Sequence, residues 1–172
     1  MYPSAYIDYL IHFHGDRDYF ECHEELEEHW KKDERGERKA YWVGLIQLAV
    51  ALYHHRRDNF NGAYRMLSSA INIIKNENEA ITDLGLTFDE LLTIMTNRLL
   101  QIEKKEKFTD INLPIRDKDL LNKCLSVSRE LGLSWGDESN QDSAIIHKHK
   151  LRDRSEVISE REKQKHLRQM TE

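Results

Sequence analysis

The sequence has few of the residues that interrupt helices or cross-link small folds. Its 172 residues include only 2 prolines, 7 glycines and 2 cysteines. Two cysteines, Cys22 and Cys124, are too few for a disulfide framework, so a reducing compartment is the simpler expectation. Scarce glycine and proline, together with abundant Glu, Lys, Leu and Arg, favour helices over a sheet-rich fold.

A long apolar segment is also missing. The longest apolar run, residues 40–53, is interrupted by Gln47 and falls short of the roughly 20 residues that a membrane-spanning helix needs. The amino terminus has neither the basic start nor the apolar run of a secretory signal peptide. We therefore expect a cytoplasmic protein with no membrane segment.

The chain as a whole carries only a small net charge, but its two parts carry net charges of opposite sign. The net charge of −5 argues neither for nor against a nucleic-acid partner. Residues 145–172 hold 8 basic and 5 acidic residues, a net of +3, which leaves −8 on the first 144 residues. Acidic residues interrupt the basic tail, which argues against nucleic-acid binding. The opposite signs permit a contact between tail and body, or with another subunit of a homo-oligomer.

Helical periodicity predicts an all-α fold, an up-and-down bundle of about five helices with a charged helical C-terminal extension. Residues 1–107 form the predicted bundle domain, and residues 108–172 form a linker plus the charged helical extension. A polar link is expected between the fourth and fifth helices, and a short helix at about 117–131 precedes the tail helix that begins near Ala144. The five bundle helices are predicted at about residues 3–14, 18–32, 38–56, 61–75 and 87–107.

The stretch FECHEELEEHW, residues 20–30, contains the first half of a candidate site. On a helical wheel His23 and Glu27 fall on the side of the large apolar residues, which predicts that they point towards the core. Cys22 falls nearly opposite, and His29 falls away from the site. The apolar residues that share the face of His23 are Tyr19, Phe20, Leu26 and Trp30.

The third helix supplies the second half of the candidate site. Gln47 and His54 share a face with the small residues Gly44 and Ala51, which would let a helix or ligand approach closely. A short turn predicts that the second and third helices pack antiparallel, which would bring His23, Glu27, Gln47 and His54 together. An unpaired buried polar group costs roughly 1–3 kcal/mol, so the four imply a network, a bound ion or a ligand.

Three interpretations of this cluster remain open. In the first, Glu27 bonds His23, Gln47 closes a polar network and Trp30 covers it. In the second, His23, Glu27 and His54 hold a divalent transition metal, because His and Glu one turn apart suit a metal in a helical bundle. The sequence HEELE is not the HExxH of zinc hydrolases, since Glu27 stands where the second histidine would be. In the third, the cluster lines a pocket for a small ligand or a partner's side chain.

Three functions follow from these interpretations. The protein is a binding or interaction module whose partner is a protein or a small molecule, a metal-dependent hydrolase-like enzyme, or a scaffold acting through its charged C-terminal helix. The sequence contains no Gly-rich phosphate loop, nucleophile elbow or CxxC pair, so no particular reaction is predicted. The remaining body histidines, His12, His14, His29 and His55, are expected at the surface or boundary.

The same residues resemble a known family. FECHEELEEHW followed by GLIQLAVALYHHRRDNFNGAYRML is similar to the bacterial and archaeal domain-of-unknown-function family numbered three hundred and nine, over about residues 5–75. The family's His-x-x-x-Glu-x-x-Trp motif matches His23, Glu27 and Trp30. Val43 and Asp58 depart from the family's second block. The resemblance implies an all-helical fold and a functional motif, but no established activity. The matching positions of the second block are Gly44, Leu45, Ile46, Gln47, His54, Asn59, Gly62 and Ala63.

Overall fold

Helices make up most of the protein in the structure, a computed structural model that describes residues 1–138 and 143–148. A 3-10 helix at Arg35–Glu37 precedes α3. The described residues contain no strand beyond an isolated antiparallel bridge between Leu86 and Ile115. The predicted all-α helical bundle is therefore confirmed. The α-helices are α1 Ser4–His14, α2 Tyr19–Lys31, α3 Ala40–Arg56, α4 Phe60–Ile74, α5 Asn78–Asp83, α6 Phe88–Glu103, α7 Lys118–Glu130 and α8 Ser143–Ile146.

Side-chain caps fix where several helices begin. The Asp18 carboxylate accepts a hydrogen bond from the backbone N–H of Glu21 at 3.0 Å, at the start of α2. Asn59 caps α4 in the same way, its Oδ1 accepting from Gly62 N at 3.1 Å. Each cap pairs a backbone donor that the first turn of a helix leaves unsatisfied.

The central helix of the bundle is α3, which packs against both α2 and α4, while α1 packs against α2 and α7. Its apolar residues lie on nearly all sides, so most of the helix is buried. Gly44 lets α3 and α4 approach closely, because a Cβ built there would lie only 2.6 Å from Cδ1 of Ile74. The contact between α3 and α2 includes Tyr53, whose ring centre lies 5.7 Å from that of Phe20.

A buried arginine between α1 and α2 forms hydrogen bonds with the part of the chain that follows α6. Arg17 is only 2% exposed. Its guanidinium donates to Ile111 O at 2.7 Å, Asn112 Oδ1 at 2.8 Å and Asp137 O at 2.9 Å. Tyr19 Oη donates to Asp110 at 2.6 Å beside it. Residues from this segment therefore pack directly on the bundle, while the division of the chain at residue 107 stays a prediction.

Two histidines that the sequence places at the surface or boundary are buried. His14 Nδ1 donates to Leu10 O at 2.7 Å, and its Nε2 accepts from Leu113 N at 2.9 Å. Burial lowers the pKa of His14 to about 4, and the nearby Arg17 charge acts in the same direction. His55 is fully buried and donates from Nε2 to Glu106 O at 2.8 Å. The segment after α6 covers both histidines. Helical periodicity does not predict that this later part of the chain packs there.

Two further differences concern helices. The link predicted as polar contains the six-residue α5, whose Ile81 is buried. The helix predicted from Ala144 is described only as α8, and its continuation lies outside the described residues. Within residues 1–138 and 143–148, no helix is both long and apolar enough to cross a membrane.

Candidate functional site

His23 and Glu27 form a hydrogen-bonded pair on one side of α2. His23 Nε2 lies 2.7 Å from Glu27 Oε2, and Lys31 Nζ lies 2.6 Å from Glu27 Oε1. The three residues are spaced one helical turn apart, so they stack along one edge of the helix. The side chains of His23 and Glu27 are 25% and 33% exposed. The predicted contact between the two is present, at the edge of the core rather than inside it.

The buried arc of α2 differs from the predicted one. Tyr19, Cys22 and Leu26 are fully buried, whereas the helical wheel placed Cys22 nearly opposite the core. Cys22 Sγ donates to Tyr9 O at 3.3 Å, because α1 packs against this side of α2. His29 is half-buried, as its predicted boundary position allows, with its ring edge-on to Trp42 at 5.2 Å. The core-facing direction is rotated away from His23 and Glu27, which leaves them in contact with solvent.

The surroundings of Glu27 favour its charged form. Burial by itself would raise the pKa of Glu27. The hydrogen bond from Lys31 and the charges of His23 and Lys31 outweigh burial and hold that pKa below its ordinary value. Glu27 is therefore an ionised carboxylate at neutral pH, with one oxygen directed to His23 and the other to Lys31.

Trp30 is half-buried beside the His23–Glu27 pair. Arg38, which precedes α3, places its guanidinium 4.7 Å from the centre of the Trp30 ring. A guanidinium over an indole face is a favourable cation–π contact. Trp30 therefore lies at the boundary of the bundle, packed on the core and covered on one ring face by Arg38.

Aromatic rings connect the α2 half of the site to the α3 half. The Phe20 ring contacts His23 edge-on at 5.5 Å and Tyr53 at 5.7 Å. The Tyr53 ring in turn lies edge-on to His54 at 6.0 Å. His23 and His54 thus belong to one row of rings, with Phe20 and Tyr53 between them.

The cap of α4 determines which nitrogen of His54 carries a proton. Asn59 Oδ1 accepts from Gly62 N, so its amide group faces His54 Nδ1 at 3.2 Å. An amide N–H donates there, and His54 Nδ1 must accept. Burial lowers the pKa of His54, and the charges of Arg57 and Arg65 lower it further. His54 is therefore neutral at pH 7, with its proton on Nε2, and offers a hydrogen-bond donor.

Gln47 lies between the two contact surfaces of α3. Gly44 faces Ile74 of α4, and Tyr53 faces Phe20 of α2. Gly44 and Tyr53 lie on opposite sides of the α3 wheel, and Gln47 falls on the arc between them, on the Gly44 side. Its Oε1 is buried and has no hydrogen-bond donor among the described residues. The candidate site thus contains a carbonyl oxygen that the described part of the chain leaves without a donor.

The predicted metal ligands are not assembled. His23 is hydrogen-bonded to Glu27, whereas His54 is hydrogen-bonded to Asn59. The proton on Nε2 of His54 occupies the position that a metal would need. Within the part of the chain that the structure describes, no three His, Cys, Asp or Glu side chains are grouped so as to hold a metal ion. A bound transition metal stays a prediction, and it would require His54 to exchange its hydrogen bond with Asn59.

Comparison with known proteins places this site in a family. Residues 6–66 match the model of the family described as Domain of unknown function (DUF309). The chain is also 52% identical, over 165 residues and 95% of both chains, to the "Uncharacterized protein YpuF" of Bacillus subtilis (strain 168). The chain belongs to the DUF309 family. The resemblance drawn from the two sequence blocks is therefore confirmed. No solved structure matches the chain.

The DUF309 match extends from α1 into α4, so it includes all five residues of the candidate site. The segment that binds Arg17 and covers His14 and His55 lies beyond the matched residues. The relative in Bacillus subtilis spans both parts of the chain. Sequence reasoning predicted the contact between His23 and Glu27 from their one-turn spacing, but it missed the tautomer of His54, which depends on the Asn59 cap.

Proposed function

We propose that this DUF309 protein is a binding module that recognises a segment of a partner protein. The recognition surface is the α2–α3 seam, defined by His23, Glu27, Trp30, Gln47 and His54. The observation that carries the proposal is the buried Oε1 of Gln47, which lacks a donor among the described residues. A buried acceptor without a donor costs roughly 1–3 kcal/mol, and rotation of the partly exposed Gln47 side chain towards a partner's donor would recover that free energy.

The spacing of the unused groups favours a peptide over a small molecule. Gln47 offers an acceptor, and His54 offers the donor Nε2–H. The two residues are separated by seven positions on α3, or about 10 Å along the helix axis. About three residues of extended chain span that distance. Successive backbone N–H and C=O groups of one partner segment could therefore pair with both ends of the seam.

The exposure of Glu27 and its partners also supports recognition over a purely structural role. A salt bridge with as much solvent contact as that between Lys31 and Glu27 contributes at most about 1 kcal/mol to folding. The pairing of Glu27 with both His23 and Lys31 keeps its charge fixed in position. The half-buried Trp30 lies on the same side, and an aromatic face beside oriented polar groups is typical of the centre of an interface.

We also propose the cytoplasm as the compartment in which this module works. Cys22 and Cys124 are both buried free thiols. Burial raises the pKa of Cys22 well above its ordinary value and that of Cys124 to about 11. Such thiols are structural rather than reactive, as expected for a protein kept in a reducing environment.

The proposal is tested by site-specific photocrosslinking in the cells that produce the protein. A benzophenone side chain replaces Asn61, which is exposed two residues after Asn59, or as a matched control Asn122, which is exposed on α7. We expect one discrete covalent adduct from position 61 and none from position 122. Gln47→Leu should abolish the adduct, whereas Gln101→Leu on α6 should retain it.

An adduct that survives Gln47→Leu, or no adduct at position 61, would contradict the proposal. Elemental analysis of the untagged wild-type protein and of the His23→Ala variant tests the alternative that the site binds a metal. Near one equivalent of a transition metal in the wild type, lost in the variant, would make the seam a metal centre instead.

A further inference from the structure

An acidic groove lies along the outer side of α2. It encloses about 290 Å³, and its lining consists of Phe20, Glu21, Glu24, Glu25, Glu28 and Lys148. Four glutamates from little more than two helical turns thus line one small groove. Glu25 shows the resulting repulsion: burial, followed by the charges of Asp8 and Glu21, raises its pKa above the ordinary value. A cation entering this groove would relieve that repulsion.

Among the described residues, Lys148 places its ammonium group in the groove. Lys148 Nζ lies 2.8 Å from Asp18 Oδ2 and 2.9 Å from Glu21 Oε2. Asp18 can form this bond while capping α2, because the cap uses its other oxygen, Oδ1. Two carboxylates therefore share one ammonium group that comes from about 130 residues later in the chain. The Lys148 side chain is 32% exposed, so the contact lies at the surface.

A second contact anchors the same segment to α3. Arg57 Nε lies 3.3 Å from His147 Nδ1, and the Arg57 guanidinium stacks 5.3 Å from the centre of the Tyr53 ring. Residues 147 and 148 thus contact two neighbouring helices at once. Electrostatics must overcome a cost here, because the positive end of the α2 dipole disfavours a cation at the first turn. The paired carboxylates of Asp18 and Glu21 supply that attraction.

We propose that the acidic groove of α2 is a docking site for a lysine-bearing segment, and that its occupant is the chain's own segment from 143 to 148, anchored by Lys148. Charge complementarity supports this choice of occupant. The segment from 143 to 148 has one formal charge, the positive charge of Lys148, whereas the first 144 residues carry −8. The inference is independent of the function proposed for the α2–α3 seam, because it rests on a different set of side chains.

Chemical modification of lysines in the full-length protein tests the docking. Acylating reagents attack the unprotonated amine, and the hydrogen bonds to Asp18 and Glu21 raise the pKa of Lys148 although burial alone would lower it. We expect Lys148 to be acylated about fivefold more slowly than the exposed Lys123 on α7, the protection that about 1 kcal/mol of pairing gives. Peptide mass spectrometry of a time course measures both rates in one sample.

Variants identify the groove as the source of the protection. Glu21→Gln should raise the Lys148 rate towards that of Lys123, and so should 1 M salt, which screens surface charges. Glu28→Gln is the matched control, because Glu28 lines the same groove and forms no ion pair with Lys148 in the described structure. It should leave the Lys148 rate unchanged. Asp18 is left intact in every variant so that the cap of α2 is preserved.

Dilution distinguishes the chain's own segment from that of a second copy. Protection that stays constant over a hundredfold dilution supports docking within one molecule. Protection lost on dilution would overturn the proposed occupant and assign the groove to the segment of another copy. Equal acylation of Lys148 and Lys123 in the wild type, with no response to Glu21→Gln, would overturn the docking site itself.

Discussion

Asn59 donates a hydrogen bond to Nδ1 of His54 at 3.2 Å while its own side-chain oxygen caps α4. One side chain thereby fixes the start of a helix and the tautomer of a histidine. Because Nδ1 accepts, the proton of neutral His54 sits on Nε2, and the ring presents a donor. In the proposed recognition seam, this donor would pair with an acceptor of the partner segment, whereas a metal at Nε2 would require the proton to leave.

The protonation of His54 gives the first prediction. Burial, followed by the charges of Arg57 and Arg65, lowers its pKa, so its NMR titration midpoint should lie below the ordinary histidine value of about 6.5. Asn59→Asp should raise that midpoint, because a carboxylate replaces the amide donor beside Nδ1. The cap of α4 should survive, since Asp and Asn cap helices about equally well. A wild-type midpoint at or above 6.5 would contradict the assignment.

The stability of the fold should depend on pH through His14. Its pKa is lowered to about 4 by burial, so the unfolded chain binds a proton at His14 that the folded protein rejects. The free energy of unfolding should therefore fall as pH decreases from about 6.5 towards 4, by about 3 kcal/mol from this residue. Urea denaturation at pH 7 and pH 4 measures the loss.

A pair of histidine variants separates His14 from other acid-sensitive groups. His14→Gln should remove most of this loss between pH 7 and pH 4. His12→Gln should retain the loss, because the pKa of His12 is raised: burial alone would lower it, but the hydrogen bond and charge of Asp16 outweigh burial. An equal acid loss in wild type and His14→Gln would show that His14 is not a proton-excluding residue.

Substitution of Glu27 should leave the fold nearly unchanged. The contacts of Glu27 with His23 and Lys31 are partly exposed, so Glu27→Ala should cost at most about 1 kcal/mol of unfolding free energy. Leu26→Ala on the same helix should cost about 2–5 kcal/mol, because Leu26 is fully buried. Denaturant unfolding of both variants makes the comparison. Comparable losses would place Glu27 in the core after all.

The close approach of α3 and α4 predicts an energetic coupling between Gly44 and Ile74. A methyl group at position 44 would collide with the end of Ile74, and overpacking of this kind costs about 1–3 kcal/mol. The better helix propensity of alanine offsets up to about 1 kcal/mol of that cost. Ile74→Val removes Cδ1, the nearest colliding atom, so Gly44→Ala should destabilise less in the Ile74→Val background.

A double-mutant cycle measures this coupling. Gly36→Ala is the matched control, because a Cβ at Gly36 would have no heavy atom within 4 Å. It should be close to neutral in either background. Additive effects of Gly44→Ala and Ile74→Val would contradict the close helix contact.

Local sequence signals were enough to predict most of the helices and one half of the site. The periodic apolar residues of α1–α4, α6 and α7, with caps such as Asp18, define segments whose interactions lie within a few residues. The His23–Glu27 pair also follows from one-turn spacing. The six-residue α5 lacks the length for a periodic pattern, so it resembled a link.

Features that depend on distant segments could not be predicted in this way. The buried side of α2 is determined by packing against Tyr9 of α1, which makes Cys22 a core residue. The burial of Arg17 depends on acceptors in a segment more than 90 residues later. His14 is buried by the same segment, which includes Leu113. Periodicity within one helix contains no information about these partners.

The unfolding free energy of Gln47→Leu tests the recognition seam most directly. If the buried Oε1 of Gln47 has no partner within the fold, replacing the amide with an apolar group removes a desolvation cost. We predict that denaturant unfolding of the variant gives a free energy equal to that of the wild type or up to about 1 kcal/mol higher. The same substitution should abolish the crosslinked adduct at position 61. A loss of more than about 1 kcal/mol would show that Gln47 is bonded inside the bundle, and the seam would then be a structural network rather than a binding site.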